Sequence, residues 1–407
     1  MLKCGLIGGK LGHSYSPAIH AMLADYEYDL FEKTPEELES FVKGNDFDGA
    51  NVTIPYKKTV IPFCDELSDT AKTIGSVNTL VRRADGTIYG DNTDAFGFET
   101  LVRSTGIDVK GKKALVFGSG GASVTAVAVL KKLGAGEVLV ISRSGENNYD
   151  NLYLHKDAEI IANTTPVGMY PKNGEKAADL TLFPECKAVF DVVYNPRRTA
   201  LLLQAEELGI PYAGGLKMLV AQAKRSSELF TGRTIPDSEI DRIESALASG
   251  MQNIVLVGMP GVGKSSISKI LAEKTGRCVY EADALIAEKS GCSIPEIFAS
   301  QGEEGFRRYE TEVISELGKL SGAIISTGGG VVTREENYPL LHQNGVIFRL
   351  ERDIDLLPTD GRPLSQANKL KDMLAVRDPM YTRFADYTID NNGSIEKAAD
   401  AIMEIMK

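Results

Sequence analysis

Residues 258–266 read GMPGVGKSS and fit GxxxxGK[ST], the pattern of a loop that binds the phosphates of a nucleoside triphosphate. The strand-like run QNIVLVG precedes the loop and the helix-like run SSISKILAEKTG follows it, which is the context that the pattern requires. In such a loop the glycine N–H groups surround the phosphates, Lys264 reaches the β and γ oxygens, and Ser265 offers its hydroxyl to Mg²⁺. The sequence therefore predicts a site for ATP and Mg²⁺ formed by Gly261, Val262, Gly263, Lys264, Ser265 and Ser266.

A second glycine-rich turn, GSGGAS, lies at residues 118–123 between the strand-like run KALVFG and a predicted helix. A pyrophosphate can bind at the N-terminus of such a helix, as in dinucleotide-binding βαβ units. The next predicted strand ends in VISRSGEN, where an NAD site tends to have an acidic residue. Here the chain has Ser142, Arg143 and Ser144, which favour the 2′-phosphate of NADP. The predicted cofactor turn comprises Gly118, Ser119, Gly120, Gly121 and Ala122.

Other residues have the types that proton transfer and anion binding use. In the second half, Asp283 follows a predicted strand in YEADALIAE, where it could accept the proton of an acceptor hydroxyl. Glycines 328–330 end another predicted strand, where backbone can approach a ligand closely. Arginines occur nearby in FRRYE, DGRPL and AVRDPMY, and these are Arg307, Arg362 and Arg377. Taken together, this set favours a kinase over an ATPase or a nucleotide switch.

The first half has two candidates of its own. Lys57 follows a predicted strand in GANVTIPYKK, and Asp94 lies at a strand–helix junction in YGDNTDAFGF. An ammonium can offset negative charge on a carbonyl oxygen that accepts hydride, and a carboxylate can orient the ammonium. A lysine taken alone is more often a solvated surface residue, so at this point the two residues are only candidates for the proton source that a hydride transfer needs.

The 407 residues are too many for one ordinary core, and they predict two or three domains. The net charge of −11 argues against nucleic acid as a partner. The five cysteines form no CxxC pair, so neither a zinc site nor a disulfide framework is expected. No run is long and apolar enough to cross a bilayer, and the start does not resemble a signal peptide. We therefore expect a cytoplasmic protein without a membrane partner, and the sequence leaves a homodimer open.

Alternating strand-like and helix-like runs predict an α/β fold throughout. KCGLIG, YDLFEK and DGANVTI are predicted strands of the first hundred residues, and TPEELESFVKG is a predicted helix that begins with Thr34 as N-cap and Pro35. From Lys113 a complete βαβ unit is predicted, and AEIIANTTP and AVFDVVY continue its sheet. The predicted helices LKMLVAQAKRSSELF and SEIDRIESALA close this half, with the join at Gly250 and Met251.

Residues 251–407 resemble the shikimate kinase family over their whole length. The resemblance implies that Arg307 and Arg377 bind the substrate carboxylate, that Asp283 is the base at the reacting hydroxyl, and that Gly329 and Gly330 contact the ring hydroxyls. It also implies that Arg362 closes over ATP from a lid. This chain has Glu281-Ala282-Asp283 where the family has DxD, and its lid stretch LLPTDGRPLS is short. We expect Glu281 to keep the indirect role of the first carboxylate at Mg²⁺.

Residues 1–250 resemble the shikimate dehydrogenase family in GHSYSPAIH, GSVNTL, GDNTD, NTTPVGM and GGLKMLVAQA. The resemblance implies that Ser14 and Ser16 bind the substrate carboxylate and that Lys57 is the catalytic group with Asp94 beside it. Polar residues implied around the ring are Thr53, Asn78, Asp94, Tyr194 and Gln222, and Gly215 is implied near the cofactor. Val124 stands where the family commonly has Arg, and residues 145–157 are too few for a usual helix–strand pair. A trimmed cofactor domain is therefore expected.

Both resemblances lead to one small molecule. The expected reactions are reduction of 3-dehydroshikimate to shikimate by NADPH, then phosphorylation of shikimate by ATP with Mg²⁺. The expected architecture is a substrate domain over residues 1–94 with helices 216–249 packing back on it, a Rossmann-like NADP domain over 95–215, and a P-loop, nucleoside-monophosphate-kinase-like domain over 251–407. Two alternatives stay open: an NAD-linked quinate/shikimate dehydrogenase in the first half, or a ligand-sensing regulator without catalysis.

Overall fold

The computed structural model describes residues 1–12, 14–357 and 364–407. The chain forms two compact units, each discontinuous in sequence. Unit 1 comprises Met1–Tyr194 and Leu201–Ser245, and unit 2 comprises Asn195–Ala200 and Ala246–Lys407.

The first sheet of unit 1 is mixed. Its strands are β1 (Lys3–Gly8), β2 (Glu27–Glu32), β3 (Gly49–Val52), β4 (Glu66–Leu67), β5 (Thr79–Arg82) and β6 (Ile88–Asp91), in the order β2-β1-β3-β5-β6-β4. Strands β1, β2 and β3 run parallel, as alternating strands and helices favour, whereas β5 pairs antiparallel with both β3 and β6. The connection between β5 and β6 is short enough for an antiparallel hairpin. The periodicity of the sequence does not reveal this pairing.

The helices that lie between or directly after these strands in the chain are α1 (Ser16–Leu23), α2 (Pro35–Lys43), α3 (Asp69–Ile74) and α4 (Asp94–Ser104). Helix α2 confirms the predicted start, because Pro35 is its first residue and Thr34 and Glu37 form a capping box. The Glu37 carboxylate accepts a hydrogen bond from the Thr34 N–H at 2.9 Å.

The second sheet of unit 1 is wholly parallel and contains the predicted βαβ unit. Its strands are β7 (Lys113–Phe117), β8 (Glu137–Ile141), β9 (Ile160–Asn163), β10 (Ala188–Asp191) and β11 (Tyr212–Ala213), in the order β11-β10-β9-β7-β8. Helix α5 (Gly121–Lys132) follows β7, and α6 (Ala200–Glu207) follows β10. Between β8 and β9 the chain forms only short 3₁₀ turns over Tyr149–His155, in agreement with the expected trimming.

Two further helices follow, α7 (Gly215–Thr231) and α8 (Ser238–Met251). Helix α8 continues through Gly250, so the predicted join lies inside a helix. The Arg277 guanidinium donates to the carbonyls of Ser249 and Gln252 at 2.5 and 2.6 Å, which satisfies free carbonyls at the end of α8.

Unit 2 is built on one parallel sheet with the order β13-β14-β12-β15-β16. Its strands are β12 (Asn253–Val257), β13 (Val279–Glu281), β14 (Ile324–Ser326), β15 (Gly345–Glu351) and β16 (Tyr387–Asp390). Its helices are α9 (Lys264–Thr275), α10 (Ala282–Ser290), α11 (Ile294–Leu317), α12 (Asn337–His342), α13 (Leu364–Phe384) and α14 (Ile395–Ile405). Central strands β12 and β14 are buried along their whole length, as an apolar run between two helical layers requires. Within the described ranges, no helix has the length and apolar character that a membrane crossing needs.

His20 in α1 is buried in an aromatic cluster of unit 1. Its ring stacks on Tyr28 with centroids 3.9 Å apart, and its Nδ1 lies 2.6 Å from the Tyr26 hydroxyl. Burial lowers the pKa of His20 to about 3, because the charged imidazolium would lose its hydration.

This burial predicts a loss of stability in acid. A histidine that titrates near pH 6.5 when unfolded and near 3 when folded stabilises the fold fully above 6.5 and progressively less as the pH falls toward 3. Between pH 7.5 and 5 the free energy of unfolding of unit 1 should fall by about 2 kcal/mol more in the wild type than in His20→Gln. Urea unfolding at each pH measures this difference, with hydrogen exchange of the β1 amides as the probe. An equal loss in the free energy of unfolding in both proteins would contradict the prediction.

Candidate functional sites

Lys57 and Asp94 form an ion pair in unit 1, with Lys57 Nζ 2.6 Å from Asp94 Oδ2. Asp94 is the first residue of α4, so its carboxylate lies at the positive end of the helix. The two side chains are 25% and 13% exposed, which leaves the ammonium open to a substrate while most of the pair is shielded. The pairing that the sequence predicts is thus present.

Asn78 connects this pair to the sheet. Its Oδ1 accepts hydrogen bonds from the N–H of Thr93 at 2.7 Å and from the Thr93 hydroxyl at 3.2 Å, which fixes the residue just before α4. Its neighbour Val77 donates its N–H to the Lys57 carbonyl at 2.8 Å. The residues around Asn78 therefore hold both members of the ion pair.

Ser14 and Ser16 contact each other, and Tyr15 between them contacts Tyr194. The Ser14 hydroxyl accepts a hydrogen bond from the Ser16 N–H at 3.2 Å. Tyr15, between them, packs edge-on against Tyr194 with centroids 5.9 Å apart, and burial raises the pKa of Tyr194. The segment that contains the two serines is thereby packed against the distant segment that contains Tyr194.

Thr53 and Gln222 lie on two other segments of unit 1. Thr53 follows β3, and its N–H bonds to the Ile7 carbonyl at 2.9 Å. Gln222 lies on α7, where its Nε2 donates to the Leu219 carbonyl at 2.8 Å. A Cβ on Gly97 of α4 would lie 3.1 Å from Gln222 Cβ and 2.7 Å from the Met218 carbonyl. This glycine therefore permits the close packing of α4 on α7 that places Gln222.

The predicted cofactor turn fits a pyrophosphate. Gly118 has φ +108°, and a Cβ there would meet the Thr164 hydroxyl at 2.9 Å. Gly120 and Gly121 face open space, and α5 begins at Gly121 with Gly120 as N-cap, so its first N–H groups are accessible. Ser119 and Ala122 belong to the same turn. At the start of α7, Gly215 admits no side chain, because a Cβ would lie 2.0 Å from the Val192 carbonyl.

Ser142, Arg143 and Ser144 follow the carboxyl end of β8. The Ser142 N–H donates to the Asn147 carbonyl at 3.1 Å, which closes the loop. Arg143 and Ser144 are exposed. Burial raises the pKa of Tyr149, and the nearby Arg143 charge opposes this shift. An exposed guanidinium beside hydroxyls suits a 2′-phosphate.

In unit 2 the phosphate loop has the predicted strand–loop–helix form. Gly258, Gly261 and Gly263 adopt φ values of +142°, +85° and +98°, which residues with side chains rarely adopt. Lys264 Nζ donates to the carbonyls of Gly258 and Met259 at 2.8 and 3.1 Å. Burial of the ammonium lowers the pKa of Lys264 to about 8. The loop thus allows a phosphate oxygen to replace these carbonyls as the hydrogen-bond partner of the Lys264 ammonium.

Glu281 holds the hydroxyl that is predicted to bind Mg²⁺. Ser265 Oγ donates to Glu281 Oε2 at 3.0 Å, and Ser268 Oγ lies 3.3 Å from Oε1. Ser266, the next residue, is exposed at the loop. The longer side chain of Glu281 therefore still reaches the predicted metal ligand, and oxygen donors of this kind suit Mg²⁺.

Residues 328–330 form the centre of the second candidate site. A Cβ on Gly328 would meet Asp283 Oδ1 at 2.8 Å and Glu310 Oε1 at 3.0 Å, whereas a Cβ on Gly330 would meet the Arg307 guanidinium at 2.1 Å. Burial raises the pKa of Asp283, and the Lys264 charge opposes this shift. The glycines thus let side chains, as well as a ligand, approach the backbone.

Arg377 reaches the same glycines from α13. Its Nη1 donates to the Gly329 carbonyl at 3.1 Å, and the Tyr381 hydroxyl bonds to the same oxygen. A Cβ on Gly329 would lie 2.7 Å from Pro260 of the phosphate loop. Asp283, Arg307 and Arg377 therefore converge beside the phosphate loop, while Arg362 lies outside the described residues.

Two buried residues of this site were not predicted. Glu310 is fully buried and accepts from Arg307 Nη1 at 2.7 Å, and burial raises the pKa of Glu310. Tyr381 is also buried. Glu310 lies three residues after Arg307, and Tyr381 lies four residues after Arg377. Residues at these spacings share one face of a helix, so the spacing could have indicated both.

Comparisons with known proteins show which families the two parts of the chain resemble. Residues 6–80 match the family model of the shikimate dehydrogenase substrate binding domain, and residues 260–407 match the family model of shikimate kinase. The shikimate dehydrogenase (NADP(+)) of Caldicellulosiruptor bescii is 38% identical over 251 residues, which are 55% of this chain and 87% of that protein.

Two solved structures resemble the first part of the chain. A chorismate mutase/shikimate 5-dehydrogenase fusion protein from Clostridium acetobutylicum is 37% identical with a TM-score of 0.58, and the match covers 60% of this chain and 96% of that one. Shikimate 5-dehydrogenase from Thermus thermophilus, solved with NADP(H) and shikimate, is 31% identical with a TM-score of 0.55, covering 60% and 99%.

The fold and the two sites define an α/β enzyme in which a Rossmann-like dehydrogenase is followed by a P-loop kinase. The chain belongs to the shikimate dehydrogenase family, and its second part is a shikimate kinase domain. The predicted fold class and enzyme classes are confirmed. The individual site residues, the three-part division of the chain and the homodimer stay predictions.

The low pKa of Lys264 predicts that nucleotide binding weakens in alkaline solution. The charged ammonium attracts phosphate oxygens, so affinity is greatest below pH 8 and falls as the pH rises through about 8. Titration calorimetry should give a dissociation constant for Mg·ADP about tenfold higher at pH 9 than at pH 7. The variant Lys269→Ala, which removes an exposed lysine from α9, should show the same profile. A constant affinity in the wild type would contradict the assignment.

Proposed function

We propose that this chain catalyses two consecutive reactions. Unit 1 reduces 3-dehydroshikimate to shikimate with NADPH, and unit 2 phosphorylates the 3-hydroxyl of shikimate with ATP and Mg²⁺. The reaction proposed for unit 1 is supported by family membership, by the relative named for NADP(+) and by Arg143 after the end of β8. The observation that carries the kinase reaction is the convergence of Asp283, Arg307 and Arg377 on residues 328–330 beside the phosphate loop.

In unit 1, Lys57 serves the carbonyl that is reduced. NADPH supplies the hydride, and the carbonyl oxygen gains negative charge as the carbon accepts it. The Lys57 ammonium stabilises this charge and delivers the proton that completes the hydroxyl, while Asp94 orients the ammonium. Ser14 and Ser16 bind the substrate carboxylate, and Thr53, Asn78, Tyr194 and Gln222 surround the ring.

In unit 2, Arg307 and Arg377 bind the carboxylate of shikimate, and Gly329 and Gly330 contact its ring hydroxyls. Asp283 orients the reacting hydroxyl and accepts its proton. Lys264 and the loop N–H groups hold the phosphates, and Ser265, held by Glu281, binds Mg²⁺. Phosphoryl transfer depends on alignment and charge neutralisation, which these residues supply.

The proposed division follows the sites: residues 1–94 with 216–249 bind the substrate of the first reaction, 95–215 bind NADPH, and 251–407 form the kinase. The intact Lys57–Asp94 pair argues against a regulator without catalysis, since binding alone does not need a proton donor. The exposed Arg143 favours NADPH over NADH, and initial rates with the two cofactors separate this enzyme from an NAD-linked quinate/shikimate dehydrogenase.

Two alanine variants test whether the sites are separate. Lys57→Ala should lower the rate of 3-dehydroshikimate reduction by at least about a hundredfold, because it removes the proton donor, and it should leave phosphorylation of supplied shikimate unchanged. Lys264→Ala should do the reverse. Nicotinamide absorbance and ADP release measure the two rates, and Lys58→Ala, which changes an exposed neighbouring lysine, is the matched control. Equal loss of both activities in either variant would refute two independent sites.

A third variant tests the carboxylate site of the kinase. Arg377→Ala should raise KM for shikimate by about tenfold or more, because a guanidinium–carboxylate contact is lost. Arg383→Ala removes an exposed arginine from the same helix, α13, where it pairs with Glu335 of another segment, and should leave KM unaltered. An unchanged KM in Arg377→Ala would disprove its assigned role.

A further inference from the structure

Arg349 places a buried guanidinium in β15, an otherwise apolar strand of unit 2. Only 7% of the residue is exposed, and its neighbours Phe348 and Leu350 are fully or almost fully buried. Removing a guanidinium from water is costly unless it is paired and hydrogen-bonded. The contacts of Arg349 should therefore show what the charge does in the fold.

The guanidinium is directed mainly at one turn of α13. Nη2 lies 2.5 Å from Asp378 Oδ1 and 2.6 Å from Glu351 Oε1. Nη1 donates to Thr382 Oγ1 at 2.8 Å and lies 3.4 Å from the Asp378 carbonyl. The group also lies over the Tyr381 ring, 5.7 Å from its centroid. The Arg349 guanidinium thus contacts both side-chain and backbone atoms of one turn of α13.

This turn needs external support because it contains Pro379. Proline has no N–H, so one helical hydrogen bond is missing at this point and the helix is weakened locally. Arg377 lies two residues before Pro379 and Tyr381 two residues after it. Both residues bond to the Gly329 carbonyl at the centre of the kinase site.

We propose that Arg349 is a positioning residue for the kinase reaction. By bonding to Asp378 and Thr382 it fixes the turn around Pro379, so that Arg377 and Tyr381 keep their contact with Gly329. Arg349 acts on shikimate binding through Arg377, without touching the substrate. The inference rests on the proposed kinase function of unit 2.

A direct role at the nucleotide is the competing explanation. Arg349 also lines a cavity of about 680 Å³ that Gly258 and Val262 of the phosphate loop border. A guanidinium that bound the nucleotide would change KM for ATP. One that positions Arg377 changes KM for shikimate instead, and the two explanations therefore separate in steady-state kinetics.

The test compares Arg349→Leu, Arg349→Lys and Asp378→Asn in the full chain. Arg349→Leu should raise KM for shikimate about tenfold, with KM for ATP and the dehydrogenase rate changed less than about twofold. Arg349→Lys should recover part of the loss, since an ammonium can still pair with Asp378. Adding Asp378→Asn to Arg349→Leu should cause little further loss, because both changes break one contact. Arg383→Ala should behave as wild type.

An unchanged KM for shikimate in Arg349→Leu and Asp378→Asn, or a rise in KM for ATP alone, would overturn the inference. If Arg349→Leu does not fold, Arg349→Lys and Asp378→Asn carry the same comparison. If the wild type releases no ADP in the presence of shikimate, the proposed kinase function fails. Calorimetric affinities for shikimate then still decide whether Arg349 positions the binding site, and equal affinities would disprove it.

Discussion

Charged side chains that leave water must find partners, and both candidate sites depend on this constraint. Lys57 is held by Asp94, Arg307 by Glu310, and Arg349 by Asp378 and Glu351. Each pairing offsets the cost of desolvation and at the same time restricts where the charge can point. A catalytic or binding group held in this way meets its substrate without first being reorganised.

The partners differ in how far they are from solvent, and this difference matches what each charge does. Asp94 keeps some exposure, and Lys57 keeps more, so the ammonium remains accessible to a substrate. The Glu310 side chain has no exposure, and its carboxylate holds the Arg307 guanidinium in a buried ion pair. In both units a carboxylate therefore offsets the desolvation of a cation, although the pairs of the two units lie on different segments of the chain.

Glycine backbone provides the other condition for these sites. At residues 328 and 330 a side chain would collide with Asp283, Glu310 or Arg307, and at Gly97 it would separate α4 from α7. In the phosphate loop the positive φ values of Gly258, Gly261 and Gly263 turn the chain around the space for an anion. Asp283, Glu310 and Arg307 can therefore lie close to the backbone of residues 328–330 because these positions have no side chains.

The sequence by itself determined the α/β class, the two glycine turns, the cap of α2 and the identity of Lys57, Asp94, Asp283 and Arg307 as candidates. These features depend on residues close together in the chain, so periodicity and motif spacing are sufficient to predict them. Only the tertiary structure decided that β5 pairs antiparallel and that Asn78 holds the start of α4. It also decided that Glu310 pairs with Arg307, that Tyr381 bonds to Gly329 and that Arg349 bonds to Thr382. These contacts join distant segments, and their energy comes from burial and pairing that exist only once the sheets and helices have packed.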